Sequence, residues 1–361
     1  MHLSRLAGIR LIWVLLACLL SVSGAAAGGF PAILAGKPPK FLSEYGFFSA
    51  IETGSGITNP APGIVGYDLI TPLFSDFALK YRHVHVPEGS VAKYDDSEAF
   101  EFPVGSALIK TFAFPADFRH PGDDIRLIET RVLLRQAEGW LALAYVWNDE
   151  QNDAELKIAG KRLPFSFIDG DGNEVSFSYA VPNKNQCKGC HALNGEITPI
   201  GPKARNLNRD YDHGTYQQQG PANQLAFWAE KGLLEGLPAS GVPKAAYWLD
   251  ETAPLEARAR TWLDVNCAHC HRPEGPASNS GLFLTYGEES PVARGIMKRP
   301  VAAGRGAGSN QFDIVPGHPE QSILMTRVES TEPGVMMPEL GRALTDERSV
   351  ALLREWILTL D

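Results

Sequence analysis

The sequence predicts an α+β multidomain protein, in which an N-terminal, mostly antiparallel β domain is followed by α-helical segments. Runs of β-forming residues separated by turn residues fill 40–182, with the clearest runs at 140–147 and 175–181. Apolar residues at helical spacing concentrate in the last hundred residues. Two Cys-x-x-Cys-His motifs, beginning at Cys187 and Cys267, lie beyond the β-forming region. The sequence therefore divides into a β region and a cysteine-bearing region.

Length and charge narrow the possible partners. The chain has 361 residues, which suits two or three domains. It carries 33 Lys and Arg against 42 Asp and Glu, a net charge of -9, without a basic stripe. This composition argues against nucleic acid as a partner. An acidic surface instead suits docking to a basic patch on another protein.

Residues 1–27 have the pattern of a signal peptide. Arg5 and Arg10 give the positive region, 11–20 is apolar, and small residues at 25–27 offer a cleavage site. A membrane anchor is the weaker interpretation, because ten apolar residues are fewer than the roughly 20 that span a bilayer. Lipidation at Cys18 is a second alternative. We expect an exported, periplasmic protein that associates with membrane only if Cys18 is lipidated.

The β domain is expected over 40–182 as a sandwich or meander. Turn residues such as those at 87–89 and 121–123 separate its strand-like runs. Residues 169–172, Asp-Gly-Asp-Gly, are predicted to form a tight hairpin turn. A calcium loop needs a following Glu and flanking helices, which the sequence does not offer there.

The cysteines point to covalently bound haem. Without Cys18 four remain, and both pairs are followed at once by His: Cys187, Cys190 and His191 in the first motif, and Cys267, Cys270 and His271 in the second. This is the c-type haem attachment pattern. Two thiols three positions apart reach the two vinyl groups of one porphyrin, and the adjacent His becomes the proximal iron ligand. We therefore predict two haems, with 183–250 as the first haem-binding segment.

Three other uses of such cysteines are alternatives to haem. They are a four-thiolate zinc site, two local disulfides and a thioredoxin-like redox pair, none of which requires the two histidines. Histidine is about one residue in forty here, 9 of 361, so chance placement after both pairs is improbable. His269, inside the second motif, is interpreted as a spacer.

Residues 251–361 are predicted to form an α-helical cytochrome c-type haem domain with the second haem. A first helix is expected from Thr252 as N-cap to Cys267, a short one over 319–330, and a last one from Thr345 as N-cap. Met337 precedes a proline on an irregular segment between two helices, and is the expected sixth ligand of the second haem. The alternatives are Met336, His318 and Met325.

The C-terminal region resembles a widespread bacterial cytochrome c domain. In that domain the Met of the Met-Pro segment is the sixth iron ligand, so the resemblance implies this role for Met337. The residues that carry it are Pro316-Gly317-x-Pro319-x-x-Ser322-Ile323-Leu324-x-x-Arg327, Met337-Pro338-x-x-Gly341 and Trp356-Ile357.

Nearly the whole mature chain is similar to a family of exported bacterial dihaem c-type cytochromes. The resemblance implies the domain organisation and the two haems, and it implies no substrate. The matching stretches are 71–76, 147–154, Gln186-Cys187-x-x-Cys190-His191, 201–203, 207–209 and 223–225.

The first haem lacks an obvious sixth ligand in the sequence. No Met lies between His191 and the second motif. The expectation is an open site or one of five residues: His83, His85, His120, His213 or Met297.

Electron transfer is the predicted function, with an exported dehydrogenase, a cytochrome or an oxidase as redox partner. Two haems in one chain can pass electrons to one another, and nothing in the sequence requires a substrate pocket. The alternative is a peroxidase-like haem enzyme, in which the second haem feeds an open first haem. A haem-based sensor is the third.

Overall fold

The computed structural model describes residues 29–52, 56–213 and 220–361. The predicted signal peptide, with Cys18, lies outside the described residues. None of the helices described is long and apolar enough to cross a membrane.

Most of the regular structure is β. The described strands are β1 Phe48–Glu52, β2 Gly56–Pro60, β3 Val65–Tyr67, β4 Leu79–His85, β5 Ala92–Lys93, β6 Ala107–Phe114, β7 Arg126–Gln136, β8 Gly139–Trp147, β9 Ala154–Leu156, β10 Lys161–Ile168, β11 Glu174–Val181, β12 Ala192–Leu193, β13 Glu196–Ile197, β14 Asp210–Tyr211, β15 Ala222–Asn223 and β16 Leu234–Glu235.

The centre of the molecule is one six-stranded sheet in the order β3-β4-β6-β7-β8-β9. Every neighbouring pair in it is antiparallel. The predicted antiparallel β region is therefore present. The predicted turn at 169–172 joins β10 to β11 as a separate hairpin.

Both faces of this sheet are covered. One face packs a cluster that includes Ile109, Val132 and Tyr145. The other face carries two clusters, one around Leu108 and one around Phe112. Since side chains alternate along a strand, Leu108 and Phe112 of β6 share a face with the residue between them, Lys110. A cation thus lies between two apolar clusters, which bears on the site described below.

The segment 183–250 packs against the central sheet. Its strand β16 pairs in parallel with β5, with Leu234 opposite Ala92. Its Trp228 is fully buried in the same cluster as Tyr67 and Leu108 of the sheet. The first cysteine motif is therefore held against the β region.

The described helices are few and short: α1 Lys184–His191, α2 Ala204–Leu207, α3 Gln224–Glu230, α4 Leu255–Asn266, α5 Ile323–Glu329 and α6 Glu347–Leu358. The prediction of α-helical cytochrome c-type haem domains is wrong, because the described chain is β-rich around its six-stranded sheet. The helical spacing that suggested those domains is a local signal. Between α4 and α5 the chain runs from Cys267 to Ser322 through turns and short 3-10 segments.

Two predicted helix caps are also wrong. Helix α4 begins after Pro254, which has no capping side chain, and not after Thr252. Helix α6 has Asp346 as its N-cap, with the carboxylate accepting from the Arg348 amide, and not Thr345. A carboxylate at this position satisfies a free amide and favours the helix dipole.

The segment Thr71–Asp76 ties the β region to both cysteine-bearing parts. The Thr71 amide donates to Asn206 at 2.8 Å, and the Phe74 amide donates to Asn266 at 2.8 Å. Asp76, buried and at positive φ, accepts from the Ala343 and Leu344 amides at 2.7 and 2.8 Å. The two motifs are thus held by one stretch of chain.

Candidate functional site

The first motif lies on helix α1. Asn183 caps this helix by accepting from the Gln186 amide at 2.9 Å, and the Gln186 side chain accepts from the Asn183 amide at 2.9 Å. This reciprocal pair starts a helix of only eight residues. The motif follows β11 closely, and the short helix places Cys187, which is buried, and Cys190 on neighbouring turns.

A hairpin orients the histidine of the first motif. Asn194 and Gly195, both at positive φ, form the two-residue turn between β12 and β13. The hairpin returns the chain so that the Thr198 carbonyl accepts from His191 Nδ1 at 2.7 Å. Because a carbonyl only accepts, Nδ1 carries the proton and Nε2 keeps its lone pair.

Burial and nearby cations keep His191 neutral. Burial lowers its pKa to about 4, and the charges of Lys110 and Arg131 act in the same direction, against the hydrogen bond to Thr198. At neutral pH the imidazole is therefore unprotonated at Nε2, the form that binds a metal.

Two adjoining cavities receive the first motif. The first cavity, of about 200 Å³, is lined by Cys190 and His191. A side cavity of about 90 Å³ is lined by Cys187, Cys190 and His191. Both are also lined by Arg131 of β7, so the motif faces the central sheet.

A row of cations crosses the sheet at the first cavity. Arg82 of β4 lies opposite Lys110 of β6, and Lys110 lies opposite Arg131 of β7. All three line the cavity. Like charges directly opposite one another destabilise a sheet. A bound anionic group would relieve this repulsion. Sequence reasoning missed the row because strand register is not visible in one sequence.

The three cations are unequally neutralised. Arg131 donates to buried Glu129, and Arg82 Nη1 donates to Asp68 at 2.6 Å. Arg82 Nη2 is buried without a hydrogen-bond partner, and no ion pair involves Lys110 among the described residues. The row therefore has donors in the cavity wall that no carboxylate of the described residues uses.

The second motif follows helix α4 in a tight turn. The His271 amide donates to the Cys267 carbonyl at 2.9 Å, and the Cys270 amide donates to it at 3.1 Å. The His271 ring contacts Ser280, with Nδ1 at 3.3 Å from the hydroxyl oxygen. Burial is the main cause of its lowered pKa.

The second cavity, of about 450 Å³, receives this motif. Cys267, Cys270, His271 and Met337 all line it. The rest of its wall is largely apolar, with Leu282, Leu284, Ile314, Ile323, Leu324 and Val328. Its volume falls within the range of about 300–1,000 Å³ typical of cofactor sites. The structure thus brings the four residues predicted for the second haem to one cavity.

A buried arginine holds the Met337 segment. The Arg342 guanidinium donates to the Met337 carbonyl at 2.9 Å, to the Ser330 carbonyl at 2.7 Å and to the Leu344 carbonyl at 3.0 Å. The Met337 amide donates to the Arg327 carbonyl at 2.9 Å. These bonds fix the backbone on both sides of the thioether.

The two cavities share a wall. Cys190, His269, Pro338 and Leu340 line both the first and the second cavity. The thiol of Cys190 also raises the pKa of Cys270, after the larger effect of burial, which shows that the two motifs are neighbours.

All four thiols are held in the protonated state. Burial raises the pKa of Cys187 and Cys190, and it raises those of Cys267 and Cys270 to about 12. Redox-active and zinc-bound cysteines have their pKa lowered, not raised. The environment therefore disfavours a thioredoxin-like pair. Among the described residues, no group of three or more His, Cys, Asp or Glu side chains forms a metal site.

The five residues predicted as sixth ligands of the first haem lie away from its cavities. His83 packs against Phe48, His85 bonds the Gly63 carbonyl, and His213 stacks on Phe227. His120 and Met297 are exposed. None of the five lines either cavity of the first motif. Strand alternation turns Arg82, and not His83 or His85, toward the cavity.

The alternative ligands for the second haem are also elsewhere. Met325 is buried in the C-terminal core, His318 contacts Glu320, and Met336 is not part of the second cavity. His269 is the one imidazole besides His191 that lines the first cavity. Its pKa is lowered to about 3, mainly by burial and in part by the charges of His191 and His271.

No protein-family model matches the chain, and no curated protein or solved structure is similar enough to match it. The two motifs and their cavities are therefore the features of the chain on which a function can rest.

Proposed function

We propose that this protein is an exported, periplasmic dihaem c-type cytochrome that transfers electrons. One haem would be held by Cys187, Cys190 and His191, and the other by Cys267, Cys270 and His271. The shared wall between the two cavities is the observation that supports this proposal, because two haems bound there would lie next to each other. The resemblance of the chain to exported bacterial dihaem cytochromes supports the same function.

The residues of both sites fit a c-type haem. Each site combines two protonated thiols with a half-buried neutral imidazole beside a cavity. Bound haem would supply a one-electron iron couple. The protein's own part is orientation: Thr198 fixes the tautomer of His191, and Arg342 holds the segment that presents Met337.

The cation row suits the carboxylates of the first haem. A porphyrin with two propionates brings two anionic groups, and charge-assisted hydrogen bonds to such groups are strong. Arg82 Nη2 is a buried donor without a hydrogen-bond partner, and Lys110, whose amine lies over the Phe112 ring, makes no ion pair among the described residues. We assign these two side chains to the propionates of the first haem.

The redox partner is expected to present a basic surface. The net charge of -9 favours electrostatic docking to such a patch. An exported dehydrogenase as donor, and a cytochrome or oxidase as acceptor, fit the predicted export.

Stopped-flow mixing tests this function. The reduced protein, made with cytochrome maturation machinery, is mixed with an oxidised small cytochrome of basic surface. We expect rapid electron transfer that slows as ionic strength rises, because salt screens the attraction. Slow, salt-independent oxidation would contradict the proposal.

One observation favours the peroxidase-like alternative: none of the five predicted sixth ligands lines the first cavity. Rapid peroxide turnover with a reduced donor would favour that enzyme. Slow bleaching of the haems by peroxide would favour the electron carrier.

A further inference from the structure

We propose that His269, which lies between the two cysteines of the second motif, is the sixth iron ligand of the haem at the first motif. This inference rests on the proposed haem function and extends it. It gives the first haem two histidine ligands, His191 and His269.

The surroundings of His269 leave its ring unused by the protein. Its Nδ1 is buried without a hydrogen-bond partner, and no hydrogen bond from Nε2 occurs among the described residues. Burying an imidazole nitrogen without a partner costs free energy, so hydrogen bonds of the protein do not explain why this half-buried ring lies here. Nε2 is the nitrogen that is not fully enclosed, and iron would be its partner, because a neutral imidazole is a common haem ligand.

The position of His269 points to the first haem rather than the second. The ring lines both cavities, and the first of them receives His191. The second cavity already contains His271 and Met337, the two ligands proposed for the second haem. The tight turn that closes the second motif fixes the His269 backbone between Cys267 and Cys270.

Lys110 is the competing ligand, because its amine also lines the first cavity. It lies in register between Arg82 and Arg131. Burial and the charges of Arg82 and Arg131 lower the pKa of Lys110 well below its ordinary value, and the propionates of a bound haem would oppose that shift by favouring the ammonium, which pairs with an anion and does not bind iron. The five residues first considered from sequence do not reach the cavity.

The arrangement would join the two haems through the chain. Cys270 attaches the second haem and is the next residue after His269. A ligand to the first iron and a thioether to the second porphyrin would thus be adjacent residues. This gives a short bonded path for an electron.

The test compares four variants of the full-length protein loaded with haem. His269→Ala is expected to replace the low-spin EPR signal of one haem with a high-spin signal. In the ferrous state this variant should bind one CO per chain, where the wild type binds almost none. His269→Met should keep both signals low-spin and raise the reduction potential of one haem only, because a thioether ligand favours the reduced iron.

His83→Ala is the matched control, since His83 also has a buried, unpartnered Nδ1 but lines neither cavity. It should leave the spectra unchanged, and Lys110→Met should keep both signals low-spin while the potential of the first haem falls. A His269→Ala protein that keeps two low-spin signals and binds no CO would overturn the assignment. So would an unaltered potential in His269→Met, or a high-spin signal in Lys110→Met.

Haem content measured on the same samples distinguishes a failure of the proposed function from a failure of the ligand assignment. A wild-type protein without covalent haem would refute the proposed function itself. Two covalent haems with spectra insensitive to His269 would refute only the ligand assignment.

Discussion

The two Cys-x-x-Cys-His motifs share a pattern but face different surroundings. The first faces a sheet, where Arg82, Lys110 and Arg131 form a cationic row. The second faces an apolar cavity that contains Met337. The proposed haem attachment would be local to five residues, whereas the proposed sixth ligands and the cations come from distant strands and loops.

This difference predicts two unequal haems. A His and Met pair in an apolar cavity favours the reduced iron and a high reduction potential. A His and His pair gives a lower potential, which neighbouring cations raise again by stabilising the more negative, reduced form. Variants of single residues, or of one motif at a time, should distinguish the surroundings of the first haem from those of the second.

Removing both thiols of one motif should have the largest effect. Cys187→Ala with Cys190→Ala should leave one covalent haem per chain, because the other motif is built by a separate turn. Intact-protein mass measures this directly. The matched variant, Cys267→Ala with Cys270→Ala, should also retain one haem, and two haems in either variant would refute the motif assignment there.

Met337→Ala should lower the reduction potential of one haem only. Axial ligands span roughly 0.8 V, so we expect a decrease on the order of 0.1 V or more. A spectroelectrochemical titration measures it. Met336→Ala is the control, since Met336 is not part of the second cavity. An unchanged titration curve for Met337→Ala would move the ligand elsewhere.

Arg342→Ala should destabilise the second site. The guanidinium satisfies several buried carbonyls around Met337, and losing charged hydrogen bonds of this kind costs about 3 kcal/mol. Denaturant unfolding of the haem-loaded protein would show the loss. Arg305→Ala should change stability little, since Arg305 is largely exposed and pairs with Glu332. Equal effects of both changes would contradict the role of Arg342.

Lys110→Met should have the smallest effect, a decrease of the first haem's potential by tens of millivolts. Removing a nearby positive charge favours the oxidised, less negative form. The second haem should be unaffected, which a two-wave titration resolves. Lys93→Met serves as the exposed control on β5. If both haems shifted equally, the cation row would not belong to the first site.

The sequence predicted local patterns well and distant contacts poorly. The motifs, the hairpin at 169–172 and helix α4 follow from patterns within a dozen residues. The α-helical haem domain was wrong because helical spacing over 255–263 does not extend through the turn-rich chain beyond Asn266. A signal for the first hairpin, Asn194-Gly195, was present in the sequence and was overlooked.

Contacts between residues on neighbouring strands could not be predicted from the sequence. The row of Arg82, Lys110 and Arg131 depends on the register of three strands. The sequence suggested His83 and His85 as ligands. Their side of β4 faces the apolar cluster that includes Ile109, on the opposite face of the sheet from the cavity. His269 was interpreted as a spacer because a single sequence does not show that it lines both cavities.

Low-temperature EPR of the oxidised wild-type protein tests the central claim most directly. Two low-spin ferric signals of different shape are predicted, one from a His and His pair and one from a His and Met pair. One high-spin signal beside one low-spin signal would contradict the account, because the first haem would then have an open site suited to an enzyme or a sensor.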